Sequence, residues 1–145
     1  LVAHATQWGR LQPERVEPQQ YLGMAYMGLG NYGQAQEPLK KVAAMRPQDA
    51  VARSMLAQAY EQSGRYDEAA VLYKQMVTEA PNDAVAWNNY GAALGGAGQP
   101  AQAVVALENA VRIDPSMKAA WNNLGNLYQQ MGDSVKAKAA FANAR

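Results

Sequence analysis

The stretch WNNYGAALGGAGQPAQAVVALENAVRIDP, Trp87 to Pro115, decides how the rest of the chain is read, because nearly everything in it happens again thirty-four residues away. WNNYG at Trp87 to Gly91 returns as WNNLG at Trp121 to Gly125. Gly98 has counterparts at Gly30, Gly64 and Gly132, Ala103 at Ala35, Ala69 and Ala137, and Pro115 at Pro13, Pro47 and Pro81. Three registers of different chemistry keep one period. A period of this size signals stacked supersecondary units, each burying its apolar face on its neighbours, in place of a single central core.

The residues inside the period identify the unit. Trp121, Leu124, Gly125 and Tyr128, followed by Ala137 and Phe141, follow the spacing W-x2-L-G-x2-Y then A-x3-F, with the closing proline seen at Pro115 in the preceding copy. On these residues the chain resembles the tetratricopeptide repeat family, and the resemblance covers essentially the whole sequence. It implies an all-α fold, an α-solenoid of helix-turn-helix repeats forming a right-handed superhelix. One domain is expected over 1–145: the second helix of a partial repeat at 1–15, repeats at 16–49, 50–83 and 84–117, and a truncated repeat at 118–145. The sequence begins at Leu1 without a methionine and ends at Arg145 inside a second helix. Both edges therefore read as cuts through a longer protein.

Composition removes several functions. With 13 basic and 12 acidic residues the formal charge is +1, which gives no electrostatic footprint for nucleic acid or an anionic membrane. The chain has no cysteine, hence no disulfide, thiol nucleophile or zinc-thiolate site. No apolar run approaches the roughly 18 to 20 residues of a bilayer-spanning helix, and the compartment stays open between cytoplasm and periplasm. His4 is the only histidine and reads as a surface residue. The Asp67-Glu68 pair suits the start of a helix, where acids meet the helix dipole. No catalytic residue, metal ligand or cofactor is expected, and the chain reads as a non-enzyme.

Along the chain, Leu1 to Gln12 read as a helix that offers Trp8 for packing and is stopped by Pro13. Glu17 to Leu29 and Gly33 to Met45 form the next two helices around a left-handed turn at Gly30. Pro38 lies beyond the first turn of its helix, so a kink or a late helix start is expected there. Gln19 and Arg53 stand in the slots that Trp87 and Trp121 occupy in the later copies, and Trp87 is expected in the interior. Gly91, Gly125, Ala103 and Ala137 mark places where paired helices approach closely. Phe141 and Ala144 belong to the face that a following repeat would cover.

The resemblance also implies a concave groove lined by the first helices, in which partner peptides bind. Projected from the core slots, its lining is Glu17, Gln20, Met24 and Met27; then Val51, Ser54, Gln58 and Glu61; then Val85, Asn88, Asn89 and Ala92; then Asn122, Asn123, Asn126 and Gln129. Family members that hold the carboxylate tail of heat-shock chaperones use lysine and arginine in these slots. This lining has neither, so a carboxylate clamp is not expected. Asn89 and Asn123 match the slot from which the repeats of O-linked N-acetylglucosamine transferase present an asparagine ladder to peptide backbone, a task that suits an amide because it both donates and accepts. Tyr21 and Met55 interrupt that ladder, and the asparagines equally fit the family's ordinary preference in these slots. Met24 and Met27 read either as an adaptable contact surface or as packing.

The function expected first is a scaffold that holds a partner peptide or short helix in the groove. Two others stand beside it. One is self-assembly as a homo-oligomer through the repeat ends, chiefly the carboxyl-terminal edge. The other is the substrate-recognition arm of a larger enzyme.

Overall fold

The computed structural model describes residues 1–12 and 15–145; Pro13, assigned above to stop the first helix, lies outside the described residues. Among those described, the regular structure is nine α-helices and no strand. They are α1 (Val2–Leu11), α2 (Val16–Gly28), α3 (Tyr32–Met45), α4 (Ala50–Gln62), α5 (Tyr66–Glu79), α6 (Ala84–Gly96), α7 (Pro100–Ile113), α8 (Lys118–Gln130) and α9 (Ser134–Asn143).

One turn, used four times, explains why helices end where they do. Gly30, Gly64, Gly98 and Gly132 all have φ between 71° and 82°, a left-handed backbone that a residue with a Cβ rarely adopts. After each glycine the next amide reaches back to a carbonyl of the finished helix: Asn31 N to Tyr26 O at 2.9 Å, Arg65 N to Tyr60 O at 2.8 Å, Gln99 N to Leu94 O at 2.9 Å and Asp133 N to Tyr128 O at 2.8 Å. This six-to-one bond satisfies a carbonyl that the helix end would otherwise leave open. At the opposite end Asp49, Asp83 and Asp133 cap α4, α6 and α9, accepting from backbone amides of the first turn.

The chain divides into two compact units, Leu1–Arg65 and Tyr66–Arg145. The boundary falls inside the second expected repeat, between α4 and α5. In the first unit α1 to α4 pack in sequence order around Ala35, Leu39 and Val42, all essentially inaccessible. Gln36 is also buried, and its amide is matched on both sides: Nε2 donates to Ser63 Oγ at 3.0 Å and Oε1 accepts from Arg65 Nη1 at 2.7 Å. Trp8 on α1 is half-buried and its ring lies 5.8 Å from that of Tyr21 on α2. His4 is exposed.

One expectation for this unit changes. Helix α3 begins at Tyr32 and runs through Pro38 without interruption, so the late start does not occur. The proline forfeits the bond to the carbonyl of Gln34, a residue exposed at the surface. Arg53, in the tryptophan slot, is 7% exposed, so a charged residue is accommodated where the pattern places an indole.

In the second unit, α5 to α9 also pack in sequence order, and α6 touches α8 directly. Tyr73, Ala93, Ala103, Leu107 and Leu124 form its interior. The small residues sit at close approaches, as the period implied: a Cβ on Gly91 would lie 2.5 Å from Leu107 Cγ, and one on Gly125 would collide with the ring of Phe141. Phe141 is accordingly half-buried against α8, although the sequence placed it on an open face. Trp87 also differs from expectation. It is half-buried, because its indole Nε1 donates to the carbonyl of Pro81 in the preceding loop at 2.8 Å, and Trp121 makes the same bond to Pro115 at 2.8 Å. The indole bridges helix and loop, which keeps one edge at the surface.

Candidate functional site

The side chains that converge most clearly lie where α6 and α8 run side by side. Their second turns carry the pair of asparagines repeated from one copy to the next. Asn123 Nδ2 donates to Asn88 Oδ1 at 3.0 Å across the two helices, and Asn88 Nδ2 donates to Asn89 Oδ1 at 3.3 Å along α6. All three are half-buried. A side-chain amide carries two donors and an acceptor with two lone pairs, so these mutual bonds use part of the relay's capacity.

Next to the relay is a cavity of about 220 Å³, all within the second unit. Gly91, Ala92, Gly95 and Gly96 of α6 form one wall, Asn123, Asn126, Leu127 and Gln130 of α8 the other, and Leu107 of α7 the base. Its lining carries no charged side chain. On the flank of α8 turned toward α7 and α9 the chemistry differs: Tyr128 donates its hydroxyl to Glu108 Oε1 at 3.0 Å, and Lys136 Nζ stands 5.4 Å from the Tyr128 ring. Burial, then the bond to the Glu108 carboxylate, push the Tyr128 phenol up to about 12.

Comparison with known families identifies the repeat. Residues 26–93 and 96–145 match the family profile of the tetratricopeptide repeat. The chain belongs to the tetratricopeptide repeat family. Solved structures agree. The chain is similar to MamA 41-end from Desulfovibrio magneticus RS-1, at 26% identity and a TM-score of 0.88, covering 99% of this chain and 81% of that one. It is similar also to a second structure described as the crystal structure of MamA, at 24% identity and a TM-score of 0.86, covering 99% and 84%. A comparison with curated protein sequences returns no match.

By the register expected from the sequence, α6 and α8 are the first helices of the repeats at 84–117 and 118–145, the elements from which the groove was projected. Of the residues named for the second unit, Asn88, Asn89 and Asn123 are joined by hydrogen bonds, and Ala92, Asn123 and Asn126 line the cavity. Asn122 and Gln129 are exposed and stand outside it. The projection missed Gly91, Gly95, Gly96, Leu107, Leu127 and Gln130. A signal for the glycines was present: Gly95 and Gly96 align with Glu61 and Gln62 one period earlier and with Gln129 and Gln130 one period later.

In the first unit the projected residues differ in exposure. Met24 is 48% exposed, Met27 half-buried, Ser54 and Glu61 half-buried and Gln58 exposed. Gln20 is engaged. Its Oε1 accepts from Arg46 Nη1 at 3.4 Å, while Arg46 Nη2 stands 3.4 Å from Glu17 Oε1. This corrects the expectation of a lining without cations, since Arg46, which follows α3, reaches two of the projected positions. Among the described residues no group of three or more His, Cys, Asp or Glu is arranged to hold a metal ion, and no helix is long and apolar enough to cross a membrane.

Proposed function

We propose that this chain is a protein-interaction scaffold that holds an extended peptide segment or short helix of a partner against the α6–α8 face, without catalysis of its own. The observation that carries this reading is the amide relay Asn123–Asn88–Asn89 beside an uncharged cavity. Amides recognise a peptide unit whatever its side chain, because they return both a donor and an acceptor. Membership of a family built from interaction repeats supports it. The test is selection from a random linear-peptide display library on the wild-type protein and on an Asn88→Ala, Asn123→Ala double variant of equal helical content. Peptides that bind the wild type and lose affinity for the variant support the reading; indifference to the variant rejects it.

A second reading, association of copies through the carboxyl-terminal edge, is favoured by one observation. Val135 on α9 is 78% exposed, a solvated aliphatic side chain at the end of the array. Sedimentation over a range of concentrations, with Val135→Asp as control, tests it: self-association that the aspartate abolishes supports this edge, and a monomer throughout rejects it.

A further inference from the structure

We propose that the cavity between α6 and α8 is a specificity pocket for one aliphatic side chain of a bound peptide, of valine to leucine or methionine size, inside an uncharged stretch of that peptide. The inference rests on the groove reading above and names what the groove selects. Two adjacent glycines inside a helix each cost roughly 0.5–1 kcal/mol relative to alanine. Packing accounts fully for only one of them. At Gly96 a Cβ would collide with the ring of Tyr66. At Gly95 it would stand 3.3 Å from Leu127 Cδ2 and 3.9 Å from Ala103 Cβ, a tight contact that the flexible Leu127 side chain can relieve.

Gly95 and Gly96 lie where the neighbouring repeats carry Glu61-Gln62 and Gln129-Gln130. Without a long side chain at Gly95, whose Cβ would face Leu127, the cavity beside Ala92 stays open, with Leu107 and Leu127 as its apolar surfaces. At about 220 Å³ it is smaller than the roughly 300–1,000 Å³ of sites that enclose whole small molecules. A single side chain fits this volume better. Asn123 and Asn126 stand on its rim, placed to bond the backbone on either side of the inserted residue, and burying an ionised side chain in a lining with no counter-charge would be prohibitive.

The experiment starts from peptides selected on the wild-type protein with the same display library. Binding of each labelled peptide is then measured by fluorescence anisotropy to wild type, Ala92→Leu, Asn126→Leu, and the Asn88→Ala, Asn123→Ala double variant. Ala92→Leu fills the cavity; Asn126 is exposed, so Asn126→Leu narrows the mouth with little risk to folding. The expected consensus has one Val, Ile, Leu or Met in an uncharged stretch. Replacing that residue by alanine, and filling the cavity with Ala92→Leu, should each weaken binding about tenfold or more, and the two losses should not add. Peptides that depend on Asn88 and Asn123 but ignore both cavity variants overturn this inference and leave the groove reading standing. Peptides indifferent to every variant, or no enriched peptide at all, overturn both.

Discussion

At the scale of single residues, the contrast between Gly91 and Gly33 shows how one substitution acquires opposite signs. Both are helical. A Cβ on Gly91 would lie 2.5 Å from Leu107 Cγ and 3.2 Å from the carbonyl oxygen of Ala103, and that oxygen is backbone that cannot step aside. Gly91→Ala should therefore destabilise by roughly 1–3 kcal/mol in spite of its better helix propensity. Gly33 has nothing within 4 Å of the same point, so Gly33→Ala should stabilise by about 0.5–1 kcal/mol. Denaturant titrations of the two variants check both signs. Tyr128 gives a prediction in pH. Its phenol is raised to about 12 in the fold from about 10 in an unfolded chain, so the folded state holds the proton more tightly. The resulting stability is complete below about pH 10 and is lost as pH rises toward about 12. Stability measured at pH 9 and near pH 11.5 should fall less for Tyr128→Phe than for the wild type.

At the scale of elements, the loop before a first helix is fastened to it by the indole. Trp87→Ala removes the bond to the Pro81 carbonyl and a half-buried ring, and should cost about 2–3 kcal/mol, below the roughly 3–5 kcal/mol of a fully enclosed aromatic. Trp87→Phe, which keeps most of the packing, should cost less; unfolding midpoints of the two variants separate bond from ring. This element also shows what a sequence can convey. The repeats of Trp, Gly, Ala and Pro were readable because each reflects sterics inside one helix pair: Gly98 bends a turn, Ala103 lets a neighbour approach. The half-burial of Trp87 was not, because it depends on where the Pro81 carbonyl points. Pro38 misled for a similar reason, since the cost of its missing bond hinges on the solvent exposure of Gln34. Asn88 and Asn123 could be nominated from their slots, but their mutual bond needed the distance between α6 and α8. The cavity was hidden most deeply, because it arises from the side chain that Gly95 lacks and from walls contributed by two other helices. Arg46 was overlooked because it lies just past the end of α3, and only its long side chain carries it to Glu17 and Gln20.

At the scale of the whole molecule, near-neutrality constrains how any partner is held. With a formal charge of +1 and an uncharged lining between α6 and α8, long-range attraction contributes little to encounter. Peptide affinity for the α6–α8 face should change less than about threefold between low salt and near-molar salt, where ion-paired interfaces are screened. Titrations at both ionic strengths measure it, and collapse of binding in high salt would move the contact to a charged surface such as that around Arg46. On the proposed reading, shape and amide hydrogen bonds govern how long a peptide stays more than how fast it arrives.

The indole clamps have one more consequence. Among the chain's three tryptophans, Trp87 and Trp121 each tie a helix to the loop before it through a single N–H, and that proton can exchange with deuterium when the tie opens. The array thus carries its own clocks, one at each of two successive joints. Where the two indole N–H resonances are resolved, the order in which the joints loosen can be timed without attaching a label.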